Sequence, residues 1–180
     1  MEKKVNFYSV IIGTELLNGR RNDAHFSFLN KQLLQRGWEQ KASFVINDDP
    51  KLMFDIFNLI KSDPNSVMFC FGGIGATPDD YTREVAGKVF TNGKMEFHEE
   101  AKNRIINQFG DEAYPHRINM AYLPINAKLL TNVVNNVAGF YLEDRFFFTP
   151  GFPSMSQAMV VEALDKCYPK SDVQKYRKVM

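Results

Sequence analysis

Two spacings of apolar residues alternate along the first half of the chain. Val5 to Ile12, "VNFYSVII", reads as a strand that ends at Gly13. From Asp23 to Gln35 the apolar positions Phe26, Leu29 and Leu33 recur three and four apart, which predicts a helix with Gly37 as its stop. Lys41 to Ile46 is a second strand, and Pro50 opens a helix carrying Leu52, Met53, Ile56, Phe57 and Ile60 on one face. Val67 to Phe71 is apolar at every position, as a central parallel strand covered on both faces would be. A helix over "YTREVAGKVF" follows, and Met95 to Tyr122 is mostly helical by pattern. Lys128 to Thr131, Gly139 to Glu143 and Arg145 to Thr149 are short strands, with a hairpin at Glu143 and Asp144. A last helix starts after Pro153 and runs through Leu164.

Strand and helix thus alternate three times before the pattern changes. This predicts an α/β fold of three α/β/α layers, a mostly parallel central sheet with helices on both faces and right-handed crossovers. A length of 180 residues suits one domain, expected over 1–168, with 169–180 as a short basic tail.

Composition narrows the partners. With 22 Lys and Arg against 21 Asp and Glu, the net charge of +1 gives no electrostatic case for nucleic acid or a membrane surface. No apolar run is long enough to span a bilayer, and the apolar part of "MEKKVNFYSVIIGTE" is too short for a signal peptide, so a cytoplasmic protein is expected. Cys70 and Cys167 fit no metal or redox spacing. His25, His98 and His116 lie on separate elements without ligand spacing and read as solvent-facing or capping residues.

Candidate chemistry concentrates in "FGGIGATPDD", Phe71 to Asp80, between the apolar strand and the next helix. In an open parallel sheet, ligands bind beyond the carboxyl ends of the strands. Gly72, Gly73 and Gly75 let the backbone take positive φ and approach a ligand, and unpaired amides at the start of a helix favour an anion. A phosphate would fit. A plainer alternative is a cap, with Thr77 as N-cap, Pro78 as first helical residue and Asp80 closing a capping box, worth roughly 1 kcal/mol. The segment has neither the Lys of a P-loop nor the spacing of a dinucleotide fingerprint.

"GGIGATPDDYTREVA" resembles the signature G-G-[TL]-G-P-T-x-D-D-x-T-x-E-[AV] of the molybdopterin-binding, MoaB/Mog-like family, and within it the amino-terminal domain of the competence/damage-inducible CinA proteins. "IIGTELLNGRRND", "VINDDP", "RINMAYLP" and "FFTPGFPSMSQAM" resemble further family motifs in the family's order. The resemblance implies a loop that cradles the phosphate of a molybdopterin or adenine nucleotide through Gly72, Gly73, Gly75 and Thr77. It places Asp48 and Asp80 where adenylyl-transferring members use two aspartates for Mg²⁺ and chemistry. Gly13, Glu15, Asp79, Thr82, Gly139 and Gly151 match further motif positions. Mg²⁺ prefers carboxylate, phosphate and water oxygens, which such a pair beside an anion loop would supply.

Each position has an ordinary alternative. Asp48 and Asp49 could cap the helix at Pro50; Glu15 could pair with Arg20 or Arg21, or those arginines could meet a second phosphate. Ala76 stands where the signature has Pro. In "NVVNNVAG", Asn135 replaces a glycine and Ala138 a proline of the family's second loop, and Asn135 could keep the turn through a positive φ. Ser154 and Met155 stand where an Arg-Glu pair is expected. The residues after Val160 are too few for the deamidase domain of two-domain CinA proteins, so that activity is expected to be absent. The expected activity is molybdenum-cofactor adenylyl transfer, hydrolysis of a nucleotide sugar such as ADP-ribose, or binding without turnover. A homodimer or trimer is the expected assembly.

Overall fold

The computed structural model describes residues 4–170, so residues 171–180 of the basic tail lie outside it. A six-stranded sheet has the order β2-β1-β3-β8-β7-β6. Its parallel strands are β1 (Asn6–Ile12), β2 (Gln40–Ile46), β3 (Ser66–Phe71) and β8 (Phe146–Thr149). The strands β7 (Gly139–Leu142) and β6 (Lys128–Leu130) complete the sheet as antiparallel additions. The helices are α1 (Thr14–Leu17), α2 (His25–Gln35), α3 (Pro50–Lys61), α4 (Thr82–Phe90), α5 (Glu99–Phe109) and α6 (Pro153–Cys167).

The uniformly apolar run becomes β3, the centre of the sheet, with every residue buried. Period-2 geometry sends its side chains to two separate cores. Met68 and Cys70 join Met53, Phe57 and Val85 of α3 and α4 on one face. Val67, Phe69 and Phe71 join Leu29 and Leu33 of α2 and Val160 and Leu164 of α6 on the other. The abundant phenylalanines run across neighbouring strands: Phe69 stacks on Phe147 at 4.8 Å and Phe140 on Phe148 at 4.6 Å. Such pairs add to burial by fixing strand register.

The structure revises three expectations. The stretch from Met95 to Tyr122 is mostly helical as expected, through α5 and two 3₁₀ helices, Gly110–Ala113 and Arg117–Ala121, but β4 (Met95–Phe97) and β5 (Tyr122–Pro124) form an unforeseen antiparallel pair around them. Three-residue strands are too short to display a period. Phe26 is 44% exposed, and His25 takes the inward place on α2 beside Leu29 and Leu33. The short helix α1, not foreseen, follows Gly13 directly. The hairpin at Glu143 and Asp144 is present, with φ of 55° and 53°.

All four parallel strands end at one rim. It carries the segments after β1, β2, β3 and β8, and also the β6–β7 connection, because β7 runs antiparallel to β8 with Phe140 opposite Phe148. Gly139 lies within the sheet at this end. A Cβ there would meet Met159 Sδ at 2.6 Å and the Phe148 carbonyl oxygen at 2.8 Å, so its place is one of packing. Gly139→Ala is expected to lower the unfolding free energy by about 1–3 kcal/mol, as overpacking does. Urea denaturation measures this, and an unchanged midpoint would show that the site has room.

Candidate functional site

The glycine loop hangs between β3 and α4. Gly72 donates its N–H to the Thr149 carbonyl at 2.9 Å, continuing the β3–β8 ladder past the end of the strand. It then turns with a φ of 102°, where a Cβ would lie 2.7 Å from the Ile12 carbonyl oxygen. Gly73 has a φ of 74°, and a Cβ there would fall 2.1 Å from Thr82 Oγ1. Gly75 is needed for another reason than the positive φ expected. Its φ is not in the left-handed region, but a Cβ would strike Asp80 Oδ2 at 2.6 Å.

Thr77 is not the N-cap of α4, nor Pro78 its first residue; the helix begins at Thr82. Thr77 and Asp80 close a turn of their own instead. Asp80 Oδ2 accepts from the Thr77 N–H at 2.9 Å and from Thr77 Oγ1 at 2.7 Å. Asp79 is exposed on that turn.

Four successive carbonyls of the loop are fastened to the first two residues of α4. Thr82 Oγ1 donates to the Gly72 oxygen at 2.9 Å and the Thr82 N–H to the Gly73 oxygen at 3.0 Å. Arg83 Nη1 donates to the Ile74 oxygen and, at 2.6 Å, to the Gly75 oxygen. In a trans peptide the next N–H points opposite to the carbonyl. The amides of Gly73, Ile74, Gly75 and Ala76 therefore face away from α4, and none meets an acceptor among the described residues. Thr82 itself is fully buried, so its hydroxyl serves the loop.

The neighbouring loops bring carboxylates. Asp49 caps α3, accepting from the N–H groups of Lys51 and Leu52, which leaves Asp48 to another task. Asp48 Oδ2 accepts from the Thr14 N–H at 3.1 Å and Thr14 Oγ1 at 2.9 Å, tying the β2 and β1 loops together. Both Asp48 and Asp80 thus spend one carboxylate oxygen on a threonine and leave Oδ1 without a protein donor among the described residues. Glu15 pairs with Arg21 at 3.0 Å. It lies over Gly13, where a Cβ would meet Glu15 Oε1 at 2.9 Å.

Two residues that the motifs do not single out lie against the loop's surroundings: Arg83, and His25, which neither faces solvent nor caps a helix as expected but is 4% exposed. The His25 ring stacks on Phe71 with centroids 4.4 Å apart. Its Nε2–H donates to the Gly151 carbonyl at 2.9 Å, so Nδ1 is the acceptor facing Ser156 Oγ at 3.3 Å. Gly151 in turn abuts the loop, a Cβ on it lying 3.5 Å from Gly72 Cα. His98 does cap α5, as one of the open alternatives held. In the β6–β7 connection the turn survives, though not through a positive φ at Asn135. Asn132 Oδ1 accepts from the N–H groups of Val134 and Asn135, and its Nδ2 donates to Asn135 Oδ1 and the Val137 carbonyl.

Residues 9–168 match the model of a probable molybdopterin binding domain. The chain belongs to that family. The CinA protein of unknown function from Thermoplasma acidophilum superposes with a TM-score of 0.79 at 25% identity, over 89% of this chain and 97% of that one. The molybdopterin biosynthesis enzyme MoaB from Thermus thermophilus shares the fold at a TM-score of 0.56 and 15% identity, over 92% of each chain. A CinA-like protein of Geotalea uraniireducens is 30% identical over 161 residues, 85% of this chain and 37% of that protein. A protein of Caldivirga maquilingensis is 31% identical over 87% of this chain and 63% of its own length. The chain therefore spans between 37% and 63% of these two relatives. No helix among the described residues is long and apolar enough to cross a membrane.

Burial lowers the His25 pKa from its ordinary 6.5, against the Gly151 hydrogen bond and Asp23, which raise it. Below about pH 6.5 the unfolded chain then binds more protons at this residue than the native one, so stability falls with pH toward the lower native value. Urea denaturation between pH 7.5 and 5 is expected to show a shallower acid limb for His25→Gln than for the wild type. Parallel limbs would remove His25 from the account.

Proposed function

We propose that this molybdopterin-binding, CinA-like domain holds a phosphorylated pterin or adenine nucleotide at the rim, the phosphate received by the amides of Gly73, Ile74, Gly75 and Ala76. The observation that carries this reading is that four consecutive N–H groups face away from the helix that fastens their carbonyls, without an acceptor among the described residues. A run of like-directed backbone amides is an anion site, because it offers fixed partial positive charge that needs no reorganisation.

Mg²⁺ fits the donor set. No group of three or more His, Cys, Asp or Glu gathers among the described residues, so a metal would need oxygens beyond the protein's own. A hard cation held by one or two carboxylates together with ligand phosphate and water meets that condition. Asp48 and Asp80 would hold it through Oδ1, each already oriented by a threonine. Bound there, Mg²⁺ would neutralise charge on phosphoryl oxygens. The chain's own part is to fix the anion in the loop and to keep both carboxylates aimed.

A second reading is hydrolysis of a nucleotide-sugar pyrophosphate such as ADP-ribose. It is the activity that the resemblance to the amino-terminal domain of CinA proteins implies, and CinA-like relatives at 30% identity support that resemblance. Purified protein with Mg²⁺ is to be assayed with ADP-ribose, and separately with ATP and molybdopterin, beside thermal shifts for each. A ligand at 100 times its Kd is expected to add roughly 2.7 kcal/mol of stability. Release of AMP from ADP-ribose, lost in Asp80→Asn, would establish hydrolysis; adenylyl transfer to molybdopterin would establish the biosynthetic role. Binding without turnover would define a non-catalytic module. No shift with any of these ligands would overturn the proposal.

A further inference from the structure

We infer that Arg83 is the positioning residue of the anion site, a guanidinium that acts from behind the loop by holding its peptide planes in the ligand-receiving orientation. This rests on the phosphate reading above and goes beyond it. The family signature leaves the position between Thr82 and Glu84 open, so nothing in the motif assigns Arg83 a part.

Three observations converge on it. First, both of its loop hydrogen bonds come from a single nitrogen, Nη1, to the successive oxygens of Ile74 and Gly75. These carbonyls belong to the peptides whose N–H groups are those of Gly75 and Ala76, the distal half of the amide run. Thr82 governs only the proximal half, through the oxygens of Gly72 and Gly73. Second, the guanidinium is half-buried on α4 yet makes no ion pair with any described carboxylate. Asp80 is the opposite charge it feels, and that carboxylate is hydrogen-bonded to Thr77. An arginine withdrawn from water without a carboxylate partner is unfavourable unless its donors and its charge are used. Here the donors meet carbonyl oxygens, and the positive charge stands directly behind amides that face outward. Third, Ile74 is 4% exposed and anchored in the core, which keeps the loop's path beside α4 and leaves the rotation of the Ile74 and Gly75 peptides to the donors that hold their oxygens.

Were Arg83 merely filling space, an apolar side chain of similar length would serve. Were it positioning the peptides, its removal would free the Ile74 and Gly75 carbonyls, and the N–H groups of Gly75 and Ala76 would lose their common direction. Phosphate affinity would then fall while the fold stood. Lysine, with a single ammonium in place of the planar fork, would restore only part of the function.

The test is a titration of the wild type, Arg83→Met and Arg83→Lys with inorganic phosphate and with ADP-ribose, followed by backbone amide NMR shifts of Gly73, Ile74, Gly75 and Ala76. In the wild type all four amides are expected to move on addition of phosphate. In Arg83→Met the Gly75 and Ala76 signals are expected to be displaced before any ligand is added, with affinity weakened about tenfold or more, as suits lost charged hydrogen bonds. Arg83→Lys is expected to fall between them. Wild-type affinity in either folded variant would overturn the inference while leaving the anion site intact. Wild-type amides unmoved by both ligands would overturn the anion site and this inference together. If Arg83→Met does not fold, Arg83→Lys decides: a weakened titration supports the assignment and an unchanged one refutes it.

Discussion

The direction of four peptide planes is the constraint on which the rest depends. Each loop carbonyl from Gly72 to Gly75 is held by a donor on Thr82 or Arg83, and those two residues begin a helix packed on the buried strand that delivers the loop. The strand cannot shift, because every residue in it is buried on both faces of the sheet. The helix cannot roll, because Thr82, Val85, Ala86 and Val89 are all in the interior. The amides are consequently held in one orientation by the fold itself. The proposed anion site would therefore lose little ordering entropy on binding, which is where preorganised loops gain affinity.

Much of this architecture was legible in residue order. The apolar run at Val67 suited a central strand, and the helical spacing from Pro50 to Ile60 named the face that α3 buries. Glycine and aspartate marked the loop because each is demanded by local geometry: Gly72 and Gly73 by positive φ, Gly75 by the carboxylate against it. What escaped was whatever depends on contacts between distant positions. His25 meets Gly151 and Ser156, 126 and 131 residues away, so neither its burial nor its exchange of place with Phe26 is written in the spacing of α2. β4 and β5, at three residues each, carry no periodicity for a pattern to reveal.

The carboxylates teach a related lesson. Two adjacent aspartates before a proline invite either a cap or a metal, and sequence could not divide the tasks between them. The fold does: Asp49 faces the open end of α3, while Asp48 reaches across to Thr14 on the neighbouring strand's loop. At the other pair, Asp80 turns back on Thr77 and Asp79 stays exposed. A threonine hydroxyl and N–H on one carboxylate oxygen orient the group and leave the second oxygen to other partners. The same device appears on two different loops of one rim.

Strand order then divides that rim. Toward β1 and β2 lie charges: Asp48, Glu15 and Arg21. Toward β8, β7 and β6 the large exposed side chains are apolar, with Phe152 at 60%, Val133 at 67% and Val134 at 56%, beside the smaller polar Thr131, Asn136 and Ser154. The amide run after β3 stands between the two halves. Departures from the family pattern after β6 and β8 fall on the apolar side, where Asn132 keeps the backbone turned by side-chain hydrogen bonds in place of glycine. On the proposed reading, phosphate capture rests on the central amides and the charged half, and the other half, where this chain departs from the signature, would face the group that the phosphate carries.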